Sequence, residues 1–142
     1  MTDDQIELVQ LSFRQVMRSR ETASMLFYDR LFELDPSLRR LFPDDLARQR
    51  HDLMVTLSVL IGNLRFIDGL VPSIQALARR HIAYGARPEH FPIVGAALLW
   101  TLSQRLGDSF TPEVESAWLD VFDLLAGTMQ SAMAEPELKR AA

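Results

Sequence analysis

The chain has 142 residues, 48% hydrophobic and 24% charged, with a formal net charge of −4. That length suits one domain with a sizeable core, and the acidic balance leaves no basic footprint for nucleic acid. With no cysteine, the chain forms no disulfides, thiolate zinc sites, iron–sulfur clusters, cysteine nucleophiles or thioether-linked cofactors.

The amino terminus, Met1-Thr2-Asp3-Asp4-Gln5, is acidic and polar, unlike a signal peptide. Thr2 followed three residues later by Gln5 matches a capping box that opens a first helix. Ile6, Val9, Phe13, Val16 and Met17 then recur at helical spacing on one face. A break near Ser19 and Glu21 leads to a second helix over 22–34, with Met25, Phe27, Tyr28, Leu31 and Phe32 as its apolar stripe. Asp35-Pro36 caps a short turn of helix over 37–42, which Pro43 ends by disfavouring helical geometry at Phe42.

A long helix over 45–64 carries Leu46, Gln49, Leu53, Leu57, Leu60 and Leu64 at three- and four-residue spacing. Gly62-Asn63 and Asp68-Gly69 mark the connection that follows. Three prolines are expected to open the remaining helices: Pro72 the one holding His81, Pro88 the next and Pro112 the last. The apolar stretches 53–64 and 91–104 are too short to cross a bilayer and read as buried helices. Nothing alternates with period two, so the fold class is all-α: about seven helices in a domain over 1–134 with a solvated tail over 135–142.

His81 lies one turn beyond Leu77 on the same helix face, with Arg79 and Arg80 beside it and a Gly85-Ala86-Arg87-Pro88 break after it. Two readings are open for a histidine so placed. It is either a hydrogen-bonded core or boundary residue, or the axial ligand of a buried metal macrocycle whose carboxylates meet the arginines.

Three separated patches bear on the choice. They are Phe27-Tyr28-Asp29-Arg30-Leu31-Phe32 with Asp35-Pro36-x-Leu38 and Leu41-Phe42; Gln49-x-x-x-Leu53-Met54; and Tyr84-Gly85, Pro88-Glu89-His90-Phe91 and Val94-Gly95 around His81. In order, spacing and residue type they resemble the globin family, specifically bacterial single-domain globins and the globin domain of flavohaemoglobins. The resemblance implies a three-over-three helical sandwich around one non-covalent haem b, with His81 as the proximal iron ligand. It makes Phe42 the ring packed on the haem face, Tyr28 and Gln49 the distal polar pair, and Leu53 the apolar residue over the iron. It assigns Leu77, Phe91, Val94 and Leu98 to the pocket lining, with Met129 a further contact, and brings Arg80 and Tyr84 to the cofactor's edge.

Chemically, a phenol O–H and an amide N–H are suitable donors to a haem-bound oxygen. Departures from the resemblance matter too. Flavohaemoglobins link the proximal histidine to a tyrosine and a glutamate, positions that here correspond to Phe91 and Met133. Neither accepts a proton from imidazole, so a backbone carbonyl near Leu77 is the expected partner and peroxidase-like chemistry is disfavoured. Asp52 stands near the pocket mouth, where relatives often carry a cation. His51, two residues from Gln49, should be solvated unless the helix shifts, and His90 should lie at the surface or boundary.

The implied function is reversible binding of O2, NO and CO, with nitric oxide converted to nitrate if an external reductase supplies electrons. The alternative is a haem-based gas or redox sensor acting through a separate partner protein, which an exposed apolar patch on the first or last helix would favour. A haem-free interaction module is a third reading, disfavoured by the presence of the histidine and the aromatic pocket. The expected location is cytoplasmic, without membrane or nucleic acid partners. Oligomeric state stays open, with Trp100 and Trp118 either core or interface. The ferric coordination stays open among five-coordinate, water, His51 and a Tyr28 phenolate.

Overall fold

The computed structural model describes the backbone of residues 1–141 and the side chains of 1–133. Six α-helices follow one another: α1 (Asp3–Met17), α2 (Arg20–Leu34), α3 (Ala47–Gly62), α4 (Ile67–Ala83), α5 (Phe91–Leu106) and α6 (Pro112–Ala141). Short 3₁₀ turns at Pro36–Leu41, Leu64–Phe66, Pro88–His90 and Gly107–Ser109 join them. No strand occurs among the described residues.

The caps follow from local chemistry. Thr2 accepts from the Gln5 N–H, and the Gln5 side chain accepts in return from the Thr2 N–H, closing the capping box of α1. The Asp35 carboxylate accepts from the Ser37 N–H and starts the 3₁₀ turn over Pro36–Leu41. The helix expected over 37–42 is therefore a tighter 3₁₀ coil.

The start of α4 departs from expectation. Asp68-Gly69 is no connection, and Pro72 does not open the helix but sits inside it, five residues beyond Ile67. The 3₁₀ turn at Leu64–Phe66 lies at a 65° bend of the chain, and α4 begins as soon as the turn ends. Pro72 lacks one N–H there, and the helix absorbs that single lost bond. α6 continues through Ala141, so position 134 falls inside a helix. The side chains of the expected tail over 135–142 lie outside the described residues.

Three apolar clusters hold the helices together. The largest joins α1, α5 and α6 through Val9, Phe13, Leu102, Trp118 and Val121. Trp118 is core, 1% exposed, and its Nε1 donates to Ser12 Oγ at 2.8 Å. Trp100 is half-buried, with the Arg30 guanidinium 5.1 Å over its ring. The second cluster packs α4 on α6 through Ile74, Ala78, Met129 and Met133, with Leu77 and Phe91 beside them. The third packs α2 on α5 and the corner after α2, through Phe27, Tyr28, Leu31 and Ala97, with Phe42, Leu53, Val94 and Leu98 beside them. A fully buried Leu, Ile or Phe contributes about 1.5–3 kcal/mol.

α5 crosses α6 closely at Gly95, where a Cβ atom would lie 2.7 Å from the Phe122 ring. Gly85, at φ +93°, turns the chain out of α4 beneath the Leu41 side chain. No single described helix is long and apolar enough to cross a membrane.

Candidate functional site

The second and third clusters meet along one face of α5. Phe91 belongs to the second, while Val94 and Leu98, three and seven residues on, belong to the third. α4 with His81 approaches this seam from the Leu77 side, and α2, α3 and the corner approach from the other.

On the α4 side, His81 is half-buried and its Nδ1 lies 2.8 Å from the Leu77 carbonyl oxygen, one helical turn back. A carbonyl oxygen only accepts, so Nδ1 carries the proton and Nε2 keeps its lone pair. This is the tautomer a metal needs, with the ring held by its second nitrogen. Nε2 has no hydrogen-bond partner among the described residues. Phe91 and Met133 sit in the apolar cluster beside Leu77, and among the described residues the hydrogen-bond partner of the imidazole is the Leu77 carbonyl.

On the opposite side, Tyr28 is 3% exposed, and rings surround it: Phe27 at 5.0 Å, Phe42 at 5.6 Å and Phe32 at 6.1 Å between centroids. The Gln49 Nε2 donates to its hydroxyl oxygen at 3.2 Å. Sequence reasoning treats Tyr28 and Gln49 as two parallel donors, but the structure arranges them in series. Gln49 gives its N–H to the phenol oxygen, which leaves the phenol proton free and more polarised.

Burial pushes the Tyr28 phenol up to about 12 from its ordinary 10.0. The Gln49 hydrogen bond works against the rise, Asp52 adds to it and Arg50 opposes it. The surroundings thus oppose a Tyr28 phenolate and favour the protonated donor.

The rim is exposed. Tyr84 caps α4 with 67% of its surface in solvent, and Arg80 is exposed beside it, both outside the apolar clusters. Asp52 and His51 are exposed on α3, with Asp52 3.9 Å from Arg48. His90 is half-buried, its Nδ1 accepting from the Arg87 N–H at 3.1 Å. Behind Leu53, Phe27 and Leu98 lies an apolar cavity of about 20 Å³. The one polar side chain in its lining, Thr101, spends its hydroxyl on the Ala97 carbonyl.

No three described His, Asp or Glu side chains converge to hold a metal ion. A metal bound through a single imidazole would need a carrier that supplies its other ligands. The residues present are compatible with a flat macrocycle: His81 keeps an imidazole lone pair, Tyr28 is a buried phenol, and apolar side chains of the two clusters lie around them.

Sequence reasoning passed over Arg39. Its guanidinium donates to three successive backbone carbonyls, of Phe42, Pro43 and Asp44. The signal was available, since a cation in the last turn of a short helix is placed to meet free carbonyls.

The globin family model matches residues 26–129, and the chain belongs to the globin family, a family of haem proteins. A flavohemoprotein of Bacillus subtilis is 29% identical over 124 residues, covering 85% of this chain and 31% of its own length. The chain thus spans about a third of the flavohemoproteins it matches. A neuroglobin of Tetraodon nigroviridis is 25% identical, with 91% of this chain and 90% of the relative covered. Among solved structures, an engineered carbene transferase from Rhodothermus marinus, whose parent carries the name nitric oxide dioxygenase, superposes with a TM-score of 0.87 at 24% identity over 100% and 99% of the two chains. A Campylobacter jejuni globin gives 0.84 at 20% identity over 96% and 99%. The all-α globin fold is therefore the fold of this chain.

Proposed function

We propose that this chain is a gas-binding haem protein in which His81 is the axial ligand and Tyr28, backed by Gln49, is the hydrogen-bond donor to the ligand. Haem b, held without covalent bonds and one per chain, supplies an iron atom that binds O2, NO and CO reversibly. The observation that carries the reading is the Leu77 carbonyl at 2.8 Å from His81 Nδ1, which leaves the Nε2 lone pair for iron.

The other residues have separable tasks. Leu77 and Phe91 pack on the His81 side, while Phe42, Leu53, Val94 and Leu98 pack on the Tyr28 side. Arg80 and Tyr84, exposed at the end of α4, meet the carboxylate edge. The neutral Leu77 carbonyl, the His81 partner among the described residues, keeps the imidazole a modest donor and suits reversible binding more than O–O cleavage. Likeness to the Rhodothermus marinus protein named nitric oxide dioxygenase extends the reading to nitric oxide conversion to nitrate, which needs an electron-supplying reductase to turn over.

A sensor acting through a separate partner draws on Leu119 and Leu124, 40% and 39% exposed on α6, and on Leu11, 50% exposed on α1. Singly exposed leucines are ordinary on soluble proteins, so gas binding stands first.

Absorption spectra of the ferric, dithionite-reduced and oxygenated protein, beside His81→Ala and Tyr28→Phe, test the proposal. The expected result is a stable oxygenated form, haem bands altered in His81→Ala, and faster oxygen release in Tyr28→Phe. A chain that takes up no haem, or a His81→Ala spectrum identical to the parent, refutes it.

A further inference from the structure

The wall opposite His81 is made of rings on two separate pieces of chain. Phe27, Tyr28 and Phe32 are fixed by α2, but Phe42 lies beyond the 3₁₀ turn in extended backbone, at φ −122° and ψ 153°. Pro43 follows it and has no N–H to anchor the segment. The Arg39 Nη1 donates to the Phe42 carbonyl at 3.2 Å and to the Pro43 carbonyl at 2.8 Å, and Nη2 donates to the Asp44 carbonyl at 2.9 Å. The Arg39 carbonyl in turn accepts from the Phe42 N–H at 3.2 Å. Both backbone polar groups of Phe42 are thus tied to one residue.

The same guanidinium lies 5.4 Å over the Phe32 ring. That ring is 5.5 Å from Phe42 and 6.1 Å from Tyr28. One side chain therefore holds the corner backbone and stacks on the α2 ring that Phe42 packs against. Three converging acceptors and a ring face need a planar fork with several donors, which arginine has and lysine lacks.

We infer that Arg39 is the positioning residue of the distal wall: by clamping the Phe42–Asp44 backbone and stacking on Phe32, it holds Phe42 against the cofactor and keeps Tyr28 in its dry cage. The cofactor half of this inference rests on the gas-binding reading proposed above, and the cage half does not.

The test uses the full chain with Arg39→Met and Arg39→Lys, and with Arg30→Met as a control that also removes a cation stacked on a ring, that of Trp100. Haem transfer to an excess of an acceptor apoglobin is timed for each. Separately, the ultraviolet absorbance of phenolate is titrated in a Tyr84→Phe background, where Tyr28 is the only tyrosine. Arg39→Met should speed haem loss about tenfold, the worth of a few part-exposed charged hydrogen bonds. It should also lower the Tyr28 midpoint by about one pH unit as water reaches the phenol. Arg39→Lys should recover less than half of each effect, and Arg30→Met should change neither.

Parent-like values for both measurements in Arg39→Met overturn the inference. Equal effects from Arg30→Met overturn it too, since they would show general loosening. A chain that takes up no haem sinks the gas-binding reading, and the Tyr28 midpoint then decides the cage alone. Should Arg39→Met fail to fold, Arg39→Lys carries the same two readouts, and parent-like values in it are the refuting result.

Discussion

The Tyr28 phenol offers a direct test of the pocket's dryness. Its midpoint lies at about 12 against an ordinary 10.0, chiefly because burial penalises the phenolate. That difference corresponds to on the order of 3 kcal/mol of folding free energy. The group's folded value is raised, so its stabilisation is complete below about pH 10 and drains away as pH climbs towards about 12. In that interval the unfolded chain loses its phenolic proton while the folded chain keeps it. The chain suits the measurement: its tyrosines are Tyr28 and Tyr84, and its one lysine is Lys139. In a Tyr84→Phe variant, the phenolate absorbance should rise near pH 12, with far-ultraviolet circular dichroism reporting helix content in parallel. Denaturant midpoints should be flat up to about pH 10 and fall beyond it. A Tyr28 midpoint near 10 with helix content intact would refute the argument, because it would mean that water reaches the phenol in the folded state.

Three further expectations follow from the same geometry. Gln49→Leu removes the partner that lowers the Tyr28 midpoint, so the midpoint should move higher still. Oxygen dissociation, followed by stopped flow, should accelerate by about tenfold with CO release unchanged, because only the polar ligand uses the donor pair. His81→Ala should weaken haem retention by about a hundredfold or more, and added imidazole should restore the parent spectrum; failure of that rescue would count against axial ligation. Gly95→Ala should cost about 1–3 kcal/mol in chemical denaturation, because its Cβ would sit 2.7 Å from the Phe122 ring, and Phe122→Leu in the same chain should recover most of the loss.

Much of the fold was legible because the sequence punctuates itself. Thr2, Asp35 and Pro112 start elements where their caps and fixed φ demand, and the apolar stripe of α1 has a clear helical period. The start of α4 was not legible, because Asp68-Gly69 and Pro72 are each turn signals and only tertiary packing of Ile74 and Ala78 on α6 overrides them. Within the site, the His81 partner was readable as a backbone carbonyl, since the residues aligned with the usual side-chain partners are Phe91 and Met133. The serial bond from Gln49 to Tyr28 was not, because spacing puts both residues on the right faces without saying which bonds which. Arg39 escaped for a similar reason: its partners are carbonyls, which every residue carries.

The close crossing at Gly95 also has an evolutionary reading. The ring of Phe122 occupies the volume that any side chain at 95 would need. A larger residue at one position is therefore most directly answered by a smaller one at the other. Gly95 follows Val94 directly on α5, which packs with the distal cluster. A lineage that enlarged residue 95 without shrinking residue 122 would have to move the Phe122 ring or part α5 from α6. Packing beside Val94 thus depends, through a glycine with no chemistry of its own, on a phenylalanine of the last helix.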